Sequence, residues 1–275
     1  MNDGINSCSD FLKWALPELK MRPEGFRKVR KQVCKRLLKR MSELNLHGFE
    51  SYRRFLQDNP TEWKVADEMM RITISRFFRD RKTWEEVTDN LLPEIVRKAN
   101  GKHPVRCWCA GIASGEEPYT LAILWREKIL RQFPNASFEI LATDSDPHML
   151  ERARMACYNK GSFKETPAGL VARAFHREGP LWCLDKAYRE MVRFSRQDIR
   201  EEIPEGIFDL IFCKNIVAMY FNKESAVSIF KRISARMRPG AYLILGNHEE
   251  FPHDEVGEIR EFNRGLNIFR KIGNS

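Results

Sequence analysis

One apolar run that stops on glycine constrains this chain more than any other stretch. Val105-Arg-Cys-Trp-Cys-Ala110 leads into Gly111-Ile-Ala-Ser-Gly115, and Glu116-Glu117-Pro118 comes directly after. The pattern predicts a buried strand, a tight loop of small residues and a helix start. In that geometry backbone passes close beneath a nucleotide-like ligand, because Gly111 and Gly115 carry no Cβ to block it. The loop is not the Gly-x-Gly-x-x-Gly of dinucleotide binders, and two acids occupy the helix N-terminus that a pyrophosphate would want bare. Glu116 and Glu117 repel phosphate and suit a cation; S-adenosylmethionine (SAM), with its ammonium and sulfonium, is a ligand of that kind. The same residues also serve an ordinary strand-to-helix turn with a charge-stabilised helix start, so the loop alone leaves both readings open.

The surrounding rhythm supports a sheet. From Pro104 onward, apolar runs at 138–143, 208–213 and 242–245 alternate with helical patterns at 146–157 and about 223–237, and Arg238-Pro239-Gly240 reads as a turn. Repeated strand–helix units predict an α/β fold, a parallel sheet flanked by helices. A turn-rich insert interrupts it between Tyr158 and Arg193. Residues 10–100 carry no strand pattern. Ser9 or Asp10 caps a first helix, Pro23 precedes a second, 49–56 forms a third, Asn59-Pro60-Thr61 restarts another, and a connecting helix lies near 84–98. The expected organisation is a small all-helical N-terminal domain over 1–80 and an α/β domain over 81–275, with the insert at 158–193 inside it.

The net charge of +9 is concentrated. Arg27, Lys28, Arg30, Lys31, Lys35, Arg36, Lys39 and Arg40 fall in one acid-free stretch, while Phe26, Val29, Val33, Leu37 and Met41 recur at helical spacing. This is a basic amphipathic helix, either a plain solvated face or a docking surface. No aromatic residue interleaves the charges as base stacking needs, so an acidic protein partner ranks ahead of nucleic acid. No apolar run approaches the roughly 20 residues that span a bilayer. The polar N-terminus lacks an export signal, and the expected location is cytoplasmic. The seven cysteines form no Cys-x-x-Cys pair. They read as small buried hydrophobes, not as a disulfide or zinc framework, and no metal site is expected. Nor does an extended apolar seam demand a dimer, so a monomer is expected.

In an open parallel sheet, ligands bind at the carboxyl ends of the strands. Asp144 ends the second strand, where it can accept both hydroxyls of a ribose. Asp198 follows 192–194 and can accept from an adenine amine. Lys214 and Asn215 end the 208–213 strand. Each acid alone is also explained as a loop cap, and Asp146 rather than Asp144 suits the cap of the next helix.

At these residues a resemblance becomes specific. Thr73-Ile-Ser-Arg-Phe-Phe-Arg-Asp80, Ala110-Gly-Ile-Ala-Ser-Gly-Glu-Glu-Pro-Tyr119, Ala142-Thr-Asp-Ser-Asp146 and Phe208-Asp-Leu-Ile-Phe-Cys-Lys-Asn215 resemble the CheR-type chemoreceptor glutamate methyltransferases. The likeness runs over nearly the whole chain, to Tyr242-Leu-Ile-Leu-Gly246. It implies a helical N-terminal domain and a Rossmann-like SAM-dependent methyltransferase domain with a small antiparallel β insert. It also implies methylation of receptor glutamates with SAM, leaving S-adenosylhomocysteine. Carried over by position, it puts Thr73, Ser75, Arg79, Gly111, Glu117, Asp144, Asp198, Ile199, Lys214 and Asn215 around the cofactor. Arg79 would face the methionine end and the incoming glutamate, and Tyr220 would close the methyl-transfer site. The basic helix would then meet the acidic methylation region of the receptor's cytoplasmic helices.

Several positions depart from the family pattern. Thr73, Ser75, Asp198 and Lys214 stand where asparagine, threonine, asparagine and arginine are usual, and lysine lacks arginine's planar fork. Ile-Val-Ala-Met between Asn215 and Tyr220 is one residue longer than usual, enough to rotate Tyr220 away or to be absorbed as a bulge. Gly246-Asn-His-Glu249 replaces Gly-His-Ser-Glu, which raises His248 as a displaced family histidine, with a surface histidine as the plain alternative. The insert is short around 175–184, so the capture of a receptor's C-terminal pentapeptide by strand addition, used by some members, is not expected. Two rival functions remain at this level: a SAM-binding or S-adenosylhomocysteine-binding regulator without transfer, and a methyltransferase acting on nucleic acid or a small molecule. For the latter, no Asn/Asp-Pro-Pro-Tyr/Phe element is present.

Overall fold

Strand–helix alternation from residue 104 builds a seven-stranded sheet in the computed structural model, which describes residues 5–273. Its strands are β1 (Val105–Ala110), β2 (Phe138–Asp144), β6 (Val192–Arg196), β7 (Phe208–Phe212), β8 (Met237–Ile244), β9 (Ile259–Asn263) and β10 (Ile268–Lys271), in the order β6-β2-β1-β7-β8-β10-β9. The first five run parallel, and β10 lies antiparallel to β8 and β9. The order reverses between β1 and β7, so the ends of those two strands open a crevice of the kind in which doubly wound sheets bind ligands. The central strands are buried throughout: every residue of β7, and all of β1 except Arg106, as parallel strands covered on both faces require. Arg238-Pro239-Gly240 is not a turn. It lies inside β8, where the pairing with β7 shifts register between Phe208 and Leu210.

The insert forms a second, three-stranded sheet, β3 (Cys157–Tyr158), β5 (Leu181–Leu184) and β4 (Phe175–Glu178), in that order and antiparallel. Phe77 anchors it. Its ring stacks on Phe163 at 5.1 Å and meets Tyr158 and Phe175 edge-on at 4.8 and 5.2 Å.

Two units are distinguished: a helical one, Met1–Ile72 with Val217–Ala226, and an α/β one, Thr73–Ile216 with Val227–Ser275. The helical unit holds α1 (Cys8–Glu18), α2 (Arg30–Glu43), α3 (Phe49–Asp58) and α4 (Glu62–Met70). The cap of α1 is Ser7, whose hydroxyl accepts from the Asp10 amide, rather than Ser9 or Asp10. The returning segment is stitched in by backbone. Met21 bridges Phe221, the Arg22 amide donates to the Tyr220 carbonyl at 2.9 Å and the Asn222 amide to the Lys20 carbonyl at 2.9 Å. A Cβ on Gly25 would sit 2.1 Å from the Met219 carbonyl oxygen, so only glycine fits that approach.

The expectation that the cysteines stay unpaired fails twice. Cys8 and Cys34 are disulfide-bonded, linking α1 to α2, and Cys157 and Cys183 are bonded across β3 and β5. Each pair is 26 residues apart in sequence, so no short motif announces it; helix packing and strand register bring the sulfurs together. Cys107, Cys109 and Cys213 are buried, as expected.

Candidate functional site

The loop after β1 is shaped by close approach. Gly111 adopts φ 62°, and a Cβ there would lie 2.0 Å from Ile216 Cδ1. Gly115, at φ 92°, would meet Ala153 Cβ at 2.9 Å. Between them the Gly111 amide donates to the Thr143 carbonyl at 2.7 Å, which ties the loop to the end of β2. Asp144 completes that tie: its carboxylate accepts from the Ala113 amide at 2.8 Å and the Asp146 amide at 2.9 Å. Asp146 is the cap of the next helix, Pro147–Met155, accepting from the His148 and Met149 amides.

The two glutamates that open the following helix diverge. Glu116 turns inward. It is buried and accepts from the Ser114 hydroxyl at 3.1 and 2.9 Å. Burial pushes its carboxyl above the usual range. Glu117 belongs to a charge cluster. Lys214, at the end of β7, is buried with its ammonium 2.9 Å from Asp80 Oδ2, 3.8 Å from Glu117 Oε2 and 5.7 Å from the centre of the Trp84 ring. Burial pushes the Glu117 carboxyl up to about 7, with Lys214 opposing and Asp80 adding to the rise.

Asp80 reaches this position through a strained corner, with Phe78 and Asp80 both left-handed at φ 56° and 65°. The surroundings hold that corner: the Phe78 amide donates to Thr120 Oγ1 at 3.2 Å, Trp84 Nε1 to the Arg79 carbonyl at 2.9 Å and Asn247 Nδ2 to Asp80 Oδ1 at 3.2 Å. Strain over-determined in this way clusters at binding sites.

Glu249 gathers the neighbouring strand ends. Its carboxylate accepts from the amides of Asn215, Ile216 and Gly246, the latter two at 3.0 and 2.8 Å, while Asn215 itself sits at φ 58°. The histidine of this segment draws the eye in the sequence, yet His248 is exposed and the acid beside it holds the strand ends. The sequence signal for that role is the glutamate closing Gly246-Asn-His-Glu249. Beyond β6, Asp198 receives the Arg200 amide and guanidinium, the closest contact being 2.6 Å, and the Ile199 carbonyl accepts from Arg232 at 2.8 Å.

The α/β unit thus carries ten of the expected site residues: Thr73, Ser75, Arg79, Gly111, Glu117, Asp144, Asp198, Ile199, Lys214 and Asn215. They lie on the 73–80 segment and at the carboxyl ends of β1, β2, β6 and β7. Direct contacts join Lys214 to Glu117 and Asp80. Tyr220 belongs to the helical unit, on the turn Val217–Tyr220, with its ring 5.1 Å from Phe26. The longer run before it is taken up as helix, the Phe221 amide donating to the Val217 carbonyl at 3.1 Å.

Of the basic residues expected on the docking face, two are held in structural contacts. Arg36 donates to the carbonyls of Met69 and Arg71. Arg40 makes a two-pronged pair with buried Glu62 at 2.8 and 2.8 Å, and the Tyr52 hydroxyl adds a third bond at 3.0 Å. Arg27, Lys28, Arg30, Lys31, Lys35 and Lys39 are exposed.

A half-buried acidic rim beside a glycine loop suits a nucleoside that carries positive charge, and the surrounding donors and acceptors fit ribose and amino-acid groups. Known proteins agree. The family model described as CheR methyltransferase, SAM binding domain, matches residues 73–264. The chain is 32% identical over 182 residues to a chemotaxis protein methyltransferase of Listeria monocytogenes, covering 66% of this chain and 67% of that one. It is 29% identical over 250 residues to a probable chemotaxis protein methyltransferase of Rhizobium etli, covering 86% and 90%. Among solved structures it is similar to SAM-bound CalS10, an amino pentose methyltransferase from Micromonospora echinaspora, with a TM-score of 0.34 and 18% identity over 62% of this chain. The match spans 52% of CalS10, about half its length.

Proposed function

This chain belongs to the CheR methyltransferase family, and we propose that it methylates glutamate side-chain carboxylates on chemoreceptors, for adaptation in chemotaxis-type signalling. The observation that carries the reading is the Lys214–Asp80–Glu117 cluster at the sheet's switch point, beside a loop that only glycine can form. The cofactor is SAM, which supplies a methyl on a sulfonium when bound and leaves as S-adenosylhomocysteine. Thr73, Ser75, Arg79, Gly111, Glu117, Asp144, Asp198, Ile199, Lys214 and Asn215 would hold it, with Asp144 accepting from the ribose hydroxyls and Glu117 facing positive charge.

The nucleophile needs no strong base, because a glutamate carboxylate is already ionised near neutral pH. What the chain must supply is alignment and exclusion of water. Arg79 orients the incoming carboxylate, and Tyr220 packs at the transfer site. An arginine that pairs too tightly with the nucleophile stabilises the ground state as well, so its contribution lies in placement more than attraction.

The exposed basic residues of α2, Arg30, Lys31, Lys35 and Lys39, with Arg27 and Lys28 on the turn before it, fit the acidic methylation region of receptor helices. Charge complementarity there speeds encounter more than it deepens affinity. Among the described residues no helix is long and apolar enough to cross a membrane. We place the protein in the cytoplasm, as a monomer, and assign it no pentapeptide tether, since the insert's strands are two to four residues long.

The test is methyl transfer from radiolabelled SAM to chemoreceptor-containing membranes, followed by alkaline release. Base-labile label on receptor supports a glutamyl methyl ester. SAM bound with no label transferred supports a regulator instead, and label appearing on RNA moves the substrate class to nucleic acid.

A further inference from the structure

One face of the insert's three-stranded sheet packs inward through Tyr158, Phe175 and Trp182. The opposite face carries a different set. His176 pairs with Cys183, and Cys183 with Cys157, so these three side chains stand in a row across β4, β5 and β3. Glu178 and Asp185, each two residues further on, share that face by strand alternation. The two sulfurs and a carboxylate oxygen of Glu178 lie within 4.8 Å of one another, and among the described residues no other such group converges as closely. His176 Nε2 lies 3.0 Å from Glu178 Oε1, while its Nδ1 lies 2.6 Å from Asp185 Oδ1. Asp185 thus fixes the imidazole through Nδ1, as an outer carboxylate does for a metal-bound histidine, while Nε2 is held against Glu178.

We propose that, once the disulfide is reduced, this face is a structural zinc site in which Cys157, Cys183 and Glu178 bind one Zn²⁺, and His176 turns its Nε2 off Glu178 to become the fourth ligand, with Asp185 orienting the ring. Two thiolates, an imidazole and a carboxylate select zinc over the hard, oxygen-seeking cations. Four protein ligands close the tetrahedron and leave no position for catalysis. Strands of two and four residues bury little surface of their own, so a covalent or metal staple on the outer face adds to the Phe77 anchor on the inner one. The disulfide and the zinc are alternative staples on the same sulfurs. A small-molecule thiol converts one to the other: two of its molecules are oxidised to one small-molecule disulfide, the Cys157–Cys183 bond is reduced to two thiols, and Zn²⁺ then displaces their two protons.

The site is independent of the methyl-transfer reading, and so is its test. The full chain is reduced, stripped with chelator and titrated anaerobically with Co²⁺. One equivalent should give the visible bands of tetrahedral cobalt with sulfur-to-metal charge transfer, bleached by Zn²⁺. The bands should vanish in Cys157→Ser/Cys183→Ser and persist in Cys8→Ser/Cys34→Ser. Should the first variant fail to fold, His176→Asn and Glu178→Gln at exposed positions must each weaken Co²⁺ at least about tenfold, and Asp185→Asn by about 10–100-fold. A reduced wild type that shows no such bands, or bands that survive loss of Cys157 and Cys183, would overturn the site and leave only a disulfide.

Discussion

Glu117 is the residue whose chemistry departs furthest from its sequence neighbours. Its carboxyl is pushed up to about 7 by burial, from an ordinary value of 4.5, so the folded protein binds a proton there that the unfolded chain has already released. The native state then holds more protons than the unfolded one between those values, and this group's contribution makes stability fall as pH rises from about 4.5 to 7. The full swing is on the order of 3 kcal/mol. Glu117→Gln removes that slope, so urea unfolding at pH 5 and pH 8 should differ less in the variant than in wild type. A cationic ligand selects the ionised form. SAM affinity should therefore rise as pH passes through 7, with proton release seen by calorimetry in buffers of different ionisation enthalpy; pH-independent affinity would remove Glu117 from the site. Asp144→Ala should weaken SAM binding by about 1–3 kcal/mol, from lost hydroxyl acceptance and an untethered loop. Arg79→Ala should abolish transfer while leaving some SAM binding; unchanged transfer would remove its orienting role. Gly111, Asp144 and Lys214 are legible in the sequence because strand ends can be read from apolar runs. Asp80 is not, being delivered by a left-handed corner with no local pattern, and Glu249 shows only as the glutamate closing Gly246-Asn-His-Glu249, its reach back to three amides being set by the fold.

At the scale of elements, α2 shows why a charge run cannot be divided by sequence alone. Its periodicity marks the buried stripe of Val33, Leu37 and Met41 correctly, but a helical wheel assigns every lysine and arginine between those positions to solvent. Arg36 and Arg40 reach instead across to the α4 region, because the end of α4 needs carbonyl partners and buried Glu62 needs a counter-charge. The Arg40 guanidinium holds the Glu62 carboxyl below its ordinary value, and burial raises the Tyr52 hydroxyl beside it. Removing one partner of a buried pair leaves the other uncompensated, so Arg40→Ala should cost about 3 kcal/mol in denaturant unfolding. Lys31→Ala and Lys35→Ala should each stay within about 0.5 kcal/mol. Equal, small losses in all three would show that Glu62 finds water instead. The α/β alternation is readable for the opposite reason: long apolar runs ending in glycine or an acid report their own boundaries. The insert is readable only as turns. Its two-residue β3 lies below any periodicity, and its cysteine pair exists only through strand register.

The molecule as a whole carries +9, and the two kinds of recognition it needs respond to that charge differently. Encounter with an acidic receptor surface depends on the summed field and on solvent-exposed side chains, which salt screens over about 10 Å at 0.1 M. On the proposed function, cofactor binding depends on the partly buried cluster of Lys214 with Asp80 and Glu117, whose interactions salt screens less. Raising ionic strength should therefore lower kcat/KM measured against receptor while leaving the KM for SAM nearly flat. Reversing two exposed charges, Lys31→Glu with Lys35→Glu, should flatten the receptor's salt dependence and slow transfer at low salt, again without moving the KM for SAM. If both constants fall together with salt, the basic face acts on the fold or the cofactor site and not on encounter. If neither moves, the six exposed basic residues Arg27, Lys28, Arg30, Lys31, Lys35 and Lys39 are a solvated face and the receptor is recognised elsewhere.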